Sequence, residues 1–269
     1  RAGMKINGQT RRAVLAAIGA SGLTALAGCN GGDQSTASDT TTTASTTAAS
    51  SPQQPASAAV TEFPPGTSEA GIDDVSALVT ATQSALRANG YAIESVVPLG
   101  NGVTTTVTIR SSPAQERHLY VLDAPSETTR RYVADGTSHL QATADGETTY
   151  STETADDFSG VHENSDQIRM LGGGETLGGL LRTGSYAPEG TVTRDGRRLH
   201  RFALESADLF DGATAATAEG GAFVDADGVV FGASIPYTPE ESESIVDWSF
   251  AVRALGDVSV SEPGWVRSG

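Results

Sequence analysis

The chain of 269 residues has one cysteine, one lysine and no Asn-x-Ser/Thr sequon. The single cysteine, Cys29, excludes an intramolecular disulfide and any metal site built from several cysteines. The single lysine, Lys5, leaves arginine as the only strong base in the rest of the chain. Because no sequon is present, N-glycosylation of the usual kind is not expected.

Signatures of catalysis and cofactor binding are missing as well. The sequence has no Gly-x-Ser-x-Gly elbow, and the glycine-rich run 172–179 lacks the Gly-Lys-Ser/Thr ending of a phosphate loop. The Asp-Ala-Asp-Gly segment at 225–228 lacks the remaining ligands of a calcium loop. The four histidines show no metal-ligand spacing, and we expect them to be solvated or hydrogen-bonded: His118, His139, His162 and His200. We therefore predict that the protein is not an enzyme and carries no cofactor and no metal.

Positive charge is scarce. From Cys29 onward, 13 basic residues stand against 33 acidic residues, which gives a net charge of −20. Such a surface repels nucleic acid and anionic membrane surfaces, so we predict no nucleic-acid partner. It also repels itself unless salt screens the charges, since the Debye length falls to about 3 Å at 1 M salt. The composition resembles that of haloarchaeal proteins.

The first 28 residues have the anatomy of an export signal. The adjacent pair Arg11 and Arg12 precedes the uncharged run 13–27, which is shorter than the roughly 20 apolar residues of a membrane span. The segment around the arginine pair resembles a twin-arginine signal, and Leu-Ala-Gly-Cys resembles a lipobox. This resemblance implies cleavage between Gly28 and Cys29 and a lipid on Cys29. We expect the protein to be held by that lipid on the outer side of the cell membrane; an ordinary cleaved signal with an incidental cysteine is the alternative.

Residues 29–68 are predicted to form a disordered tether. Between residues 31 and 60, twenty of 30 residues are Ser, Thr or Ala and none is aromatic. Such a segment cannot bury enough apolar surface to offset the entropy lost on ordering. A flexible chain of this length reaches about 30 Å.

Residues 69–269 are predicted to fold as one α+β domain. Asp73 and Asp74 can cap a helix whose apolar residues recur at helical spacing and which ends at Asn89. Period-two alternation then predicts eight to eleven antiparallel strands. Four Asp-Gly pairs predict tight hairpins between strands: Asp135-Gly136, Asp145-Gly146, Asp195-Gly196 and Asp227-Gly228. A helical, glycine-rich insertion over 165–184 divides the strands into two groups.

This order of elements is similar to that of the LolA/LppX-type carriers. The resemblance implies a strongly curved antiparallel sheet, an incomplete β-barrel, with the N-terminal helix and the helical insertion over its concave face. The ending Val258–Trp265 also looks like the terminal strand of haloarchaeal surface lipoproteins.

A curved sheet with so little helical cover encloses a concave space that side chains or a ligand must fill. We expect ten residues to line it: Val107, Ile109, Leu119, Val121, Leu140, Phe202, Phe223, Phe231, Trp248 and Phe250. The occupant would be a lipid or another apolar molecule. The alternative is a structural or interaction domain of the cell surface, without catalytic activity, whose core is filled by its own side chains.

Overall fold

Antiparallel strands dominate the structure, a computed structural model that describes residues 62–100, 102–155, 157–163, 168–169, 171–174, 176–209, 213–239 and 244–267. These residues belong to one compact unit that spans Ala56–Gly269. The predicted export signal, its cleavage site, the lipidation site and most of the tether lie outside the described residues. None of the described helices is long and apolar enough to cross a membrane.

A short hairpin precedes the first helix and places the start of the fold earlier than predicted. Strands β1 (Thr67–Ser68) and β2 (Gly71–Ile72) pair with each other, and Phe63 packs against the main core. The predicted boundary at residue 69 therefore falls inside this hairpin, and part of the segment assigned to the tether belongs to the folded domain.

Helix α1 (Val75–Ala88) forms as the sequence predicts. The Asp74 carboxylate accepts a 3.0 Å hydrogen bond from the Ala77 backbone N–H, and so caps the first turn. Four residues at helical spacing are buried: Leu78, Val79, Thr82 and Leu86. The helix ends at Asn89, whose backbone N–H bonds to the Leu86 carbonyl. Two further α-helices lie within or next to the predicted insertion: α2 (Phe158–Glu163) and α3 (Leu177–Thr183).

Among the described residues, twelve strands form the main sheet, one more than the upper limit predicted. They are β3 (Gly90–Gly100), β4 (Val103–Ser112), β5 (Arg117–Ala124), β6 (Glu127–Ala134), β7 (Thr137–Ala144), β8 (Glu147–Thr154), β9 (Gly184–Arg194), β10 (Arg197–Ala207), β11 (Thr214–Ala215), β12 (Gly221–Val224), β13 (Val230–Thr238) and β14 (Val246–Gly256). Their order is β8-β7-β6-β5-β4-β3-β14-β13-β12-β10-β9, with β11 on β13. The α+β class and the antiparallel pairing are confirmed, and the described sheet does not close on itself.

The Asp-Gly pairs make the predicted turns. At Asp135-Gly136, Asp145-Gly146 and Asp195-Gly196 both residues have positive φ, as tight hairpins with a right-handed twist require. At the fourth pair only Gly228 does, because this turn is organised by the Asp225 carboxylate. That carboxylate accepts hydrogen bonds from the backbone N–H groups of Asp227 and Val229.

The two faces of the main sheet differ in what covers them. On the helix face, α1 and α3 pack against β13, and their leucines join strand residues in one buried cluster. Thr82 of α1 accepts a 3.0 Å hydrogen bond from the Val230 backbone N–H and so attaches the helix to β13. The other face, called here the pocket face, carries the alternate residues of the same strands.

The C-terminal segment does not form the predicted terminal strand. After β14 the chain runs without ladder pairing to a 3₁₀ turn at Gly264–Arg267. Val260 is buried against Tyr132 and Ala134 on the pocket face of the sheet. Val260 and Val266 therefore pack beside β6, and Pro263 could not have donated a ladder hydrogen bond in any case.

Candidate functional site

The ten predicted cavity residues do not share one face. Residues paired in an antiparallel ladder point to the same side, and the register pairs Val107 with Leu122 and Ile109 with Tyr120. Leu119 and Val121 therefore lie on the opposite side from Ile109. The helix face receives Val107, Ile109, Leu140, Phe202, Trp248 and Phe250; the pocket face receives Leu119, Val121, Phe223 and Phe231. The prediction that all ten residues line one face is wrong. The alternation in β5 is almost equally apolar on both sides, so it does not show which residues face the helices.

The helix face is filled by side chains of the protein itself. Ile109, Phe202, Trp248 and Phe250 are each at most 2% exposed, and all four belong to the cluster that includes the leucines of α1 and α3. These residues form packed core. On the face that the helices cover, side chains of the protein therefore fill the space where a ligand was predicted.

An open pocket of about 800 Å³ lies on the pocket face. Its lining includes one cross-strand row: Arg201, Phe223, Gly232 and Ala251. The pocket exists because the β12–β13 hairpin does not extend as far as the strands on either side of it. Val224 and Val230 form their last pair, whereas β10 continues to Arg197 and β14 to Gly256. The Arg197 side chain spans the resulting gap and donates a 3.1 Å hydrogen bond to the Leu255 carbonyl.

Arginine and phenylalanine meet at the rim of this pocket. The Arg194 guanidinium lies 3.7 Å from the centre of the Phe223 ring, and the Arg197 guanidinium lies 4.9 Å from the centre of the Phe231 ring. A stacked guanidinium presents an apolar plane to the ring and keeps its N–H donors in the plane. The rim therefore combines apolar surface with hydrogen-bond donors of fixed orientation.

Two further arginines line the pocket as ion pairs. Arg201 lies 3.0 Å from Glu189, and Arg253 lies 2.6 Å from Glu94. Sequence analysis missed all four arginines, because attention to apolar alternation leaves the polar positions unexamined. A signal was present for three of them: residues 194–201 contain four of the 13 arginines after residue 28, and three of these four line the pocket.

A second cluster of polar groups is buried beneath α2. The Ser111 hydroxyl lies 2.8 Å from His162 Nδ1, and His162 Nε2 lies 3.1 Å from the Arg87 carbonyl. A serine bonded to a histidine can act as a nucleophile with its base, but Ser111 is 0% exposed and His162 is 3% exposed. No substrate can reach the hydroxyl in this arrangement, so the pair is a structural hydrogen bond.

The histidines follow the expectation in part. His139 and His162 are hydrogen-bonded, the latter from within α2. His118 and His200 depart from it, since their Nδ1 atoms are buried without a hydrogen-bond partner among the described residues. Burial lowers the pKa of His118 from 6.5 to about 4, and the positive charge of Arg131 acts in the same direction. Burial also lowers the pKa of His162 and of His200.

Metal-binding geometry is absent from the part of the chain that the structure describes, where no three His, Cys, Asp or Glu side chains come together. A smaller pocket of about 140 Å³ lies between β7, β8 and the C-terminal segment, beside Tyr150 and Trp265. The arginine-lined pocket is thus the larger candidate for binding.

Comparisons with known proteins identify no family for this chain. No family model matches the chain, and no curated protein matches it. Among solved structures, the chain is similar to a crystal structure of MucB in complex with MucA(peri), with 16% sequence identity and a TM-score of 0.29. The match covers 73% of this chain and 60% of that chain.

Proposed function

We propose that the protein is a lipid-anchored binding protein of the outer cell-membrane surface, and that it holds an apolar ligand in the pocket between β10 and β14. The observation that carries this proposal is the open volume of about 800 Å³ with two half-buried phenylalanine rings at its rim. Ligand sites are concave and combine apolar walls with a few placed polar groups. The site differs from the predicted one, because it lies on the face away from α1.

The proposed sheet is strongly curved, like an incomplete barrel. Support comes from Arg197, whose side chain bonds to Leu255 although β12 and β13 separate their strands in the sheet order. Such a contact brings β10 towards β14 over the pocket face. The concave space that we propose is therefore this pocket, with α1 and α3 on the opposite side.

Binding is tested with a neutral alkyl probe and a variant that fills the pocket. Ala251→Trp adds a large side chain to the lining, and Thr108→Trp adds the same side chain two strands away on the same face. Titration calorimetry with monomeric dodecyl maltoside should show binding to the wild type and to Thr108→Trp, and at least about tenfold weaker binding to Ala251→Trp. Equal binding by the two variants would place the ligand elsewhere.

The anchor is tested on the whole chain. Cys29→Ser removes the predicted lipidation site, so the variant should leave the membrane fraction or keep its uncleaved signal. Replacement of Arg11 and Arg12 by lysine should block export, because the twin-arginine route requires that pair. Membrane attachment of a processed Cys29→Ser protein would show that another group holds it.

The alternative is a structural or interaction domain without a ligand. The packed helix face favours it, since Phe202, Trp248 and Phe250 of the sheet already belong to one buried cluster with the leucines of α1 and α3. This alternative predicts that dodecyl maltoside does not bind and that solvent extraction of the purified protein yields no lipid.

A further inference from the structure

Two arginines face each other at the tip of the β9–β10 hairpin. Arg194 and Arg197 are a cross-strand pair that flanks the Asp195-Gly196 turn, and both line the pocket. Like charges directly opposite each other in a ladder destabilise a hairpin. Stacking on Phe223 and Phe231 offsets part of this cost but leaves both charges in place.

Neither of the two arginines forms an ion pair with a described carboxylate. Arg201 and Arg253, in the same pocket, each contact a glutamate within 4 Å, whereas Arg194 and Arg197 contact none among the described residues. Arg197 gives one N–H to the Leu255 carbonyl. A guanidinium has five N–H donors, so most donors of the pair remain available to a ligand.

The charge at one edge of the pocket contrasts with that of the whole chain. At the tip of the β9–β10 hairpin, residues 194–198 hold three arginines and one aspartate, a formal charge of +2. The other two arginines of the pocket, Arg201 and Arg253, are neutralised by glutamates. The chain as a whole has 17 basic and 33 acidic residues. A local positive excess in a strongly acidic protein attracts an anion to this place and repels it elsewhere.

We propose that the ligand is an amphiphile with an oxyanion head group, a phosphate-type group, which Arg194 and Arg197 bind while its chain lies in the pocket. Two guanidiniums in a fixed orientation match the paired oxygens of such a group. The bound anion lies between the two guanidiniums and offsets the repulsion between them. The inference deepens the proposed function and rests on it.

The test compares three probes at one constant, high ionic strength: monomeric dodecyl phosphate, monomeric dodecyl maltoside and inorganic phosphate. The double variant Arg194→Gln/Arg197→Gln removes both charges, and a second double variant with lysine at both positions keeps the charge but loses the planar fork. The matched control is Arg198→Gln, because Arg198 belongs to the same hairpin but does not line the pocket. Circular dichroism checks that each variant is folded.

The wild type and Arg198→Gln should bind dodecyl phosphate at least about tenfold more tightly than dodecyl maltoside, because the uncharged maltoside cannot form charge-assisted hydrogen bonds with the two arginines. The glutamine double variant should lose this preference, and the lysine double variant should keep only part of it. Inorganic phosphate that binds as tightly as dodecyl phosphate would identify a free anion as the ligand and overturn the amphiphile.

Equal binding of both dodecyl probes by the wild type would overturn the oxyanion inference and leave the proposed function intact. Absence of binding by both would overturn the two together. An unchanged preference in the glutamine double variant would show that other groups bind the head. If that variant does not fold, the single variants Arg194→Gln and Arg197→Gln decide the matter, each with an expected loss of several fold.

Discussion

The two faces of the main sheet are built from alternate residues of the same strands, yet they differ in packing. On the helix face, one cross-strand row is apolar and buried: Phe202, Ala222, Ala233 and Phe250. On the pocket face, the adjacent row is Arg201, Phe223, Gly232 and Ala251, and it borders open volume. The difference shows that an unbroken apolar row in this sheet belongs to the packed core, whereas the row that contains arginine, glycine and alanine leaves an open pocket.

Removing one phenylalanine from each face tests this difference in packing most directly. Phe202→Ala should lower the free energy of unfolding by about 3–5 kcal/mol, because it leaves a cavity in the packed cluster. Phe223→Ala should cost about 1 kcal/mol, since its half-buried ring borders open space. Denaturant unfolding at constant salt measures both values. Similar losses for the two variants would show that the pocket face is packed as tightly as the helix face.

The contrast between the faces follows from the sequence only in part. In β14 the residues Val246, Trp248, Phe250 and Val252 are all buried, as their alternation predicts. In β5, Leu119, Tyr120, Val121 and Leu122 are all apolar or aromatic and all half-buried, so alternation cannot choose a face. Register with β4 decides it, and register depends on contacts between strands rather than on one strand's pattern.

A second test of the helix face uses pH. His118 lies on this face, paired with Ser111, and its lowered pKa means that folding opposes its protonation. The unfolded chain binds a proton below pH 6.5, and the folded protein binds it only near pH 4. Stability should therefore be full above pH 6.5 and should fall by on the order of 3 kcal/mol as the pH drops to about 4.

Variants of two histidines identify the source of that pH dependence. His118→Gln should flatten the loss of stability between pH 6.5 and 4, whereas His139→Gln, on the other face, should keep the wild-type slope. Part of the slope will persist in His118→Gln, because burial also lowers the pKa of His162. An unchanged slope in His118→Gln would show that this imidazole is accessible to protons in the folded protein.

Buried hydrogen bonds of the helix face should be costly to remove. Thr82→Val keeps the shape of the side chain but deprives the buried Val230 N–H of its acceptor. The expected loss is about 1–3 kcal/mol. Thr80→Val is the matched control, because Thr80 lies on the exposed side of the same helix and should change stability by less than about 0.5 kcal/mol. A neutral Thr82→Val would indicate that water replaces the lost acceptor.

The candidate site was harder to predict than the helix or the turns. The helix depends on spacing and a capping aspartate, and the turns depend on Asp-Gly pairs, all of which are local in sequence. The pocket depends on β12 ending at Val224 and β13 beginning at Val230. Residues of β10 and β14 that are 58 positions apart, Arg197 and Leu255, then come together. No local pattern encodes that contact.

The smallest expected effect belongs to a polar contact on the pocket face. Glu94 lies 2.6 Å from Arg253, but their side chains are 35% and 62% exposed. Water and salt screen such a pair, so Glu94→Gln should change the free energy of unfolding by less than about 1 kcal/mol, and by less still at high salt. Denaturant unfolding at low and at high salt measures both values beside Thr82→Val. A loss as large as that of Thr82→Val would mean that the pocket face excludes water around this pair. The distinction between a packed face and an open face would then fail at β14, the strand that carries Arg253 and Ala251.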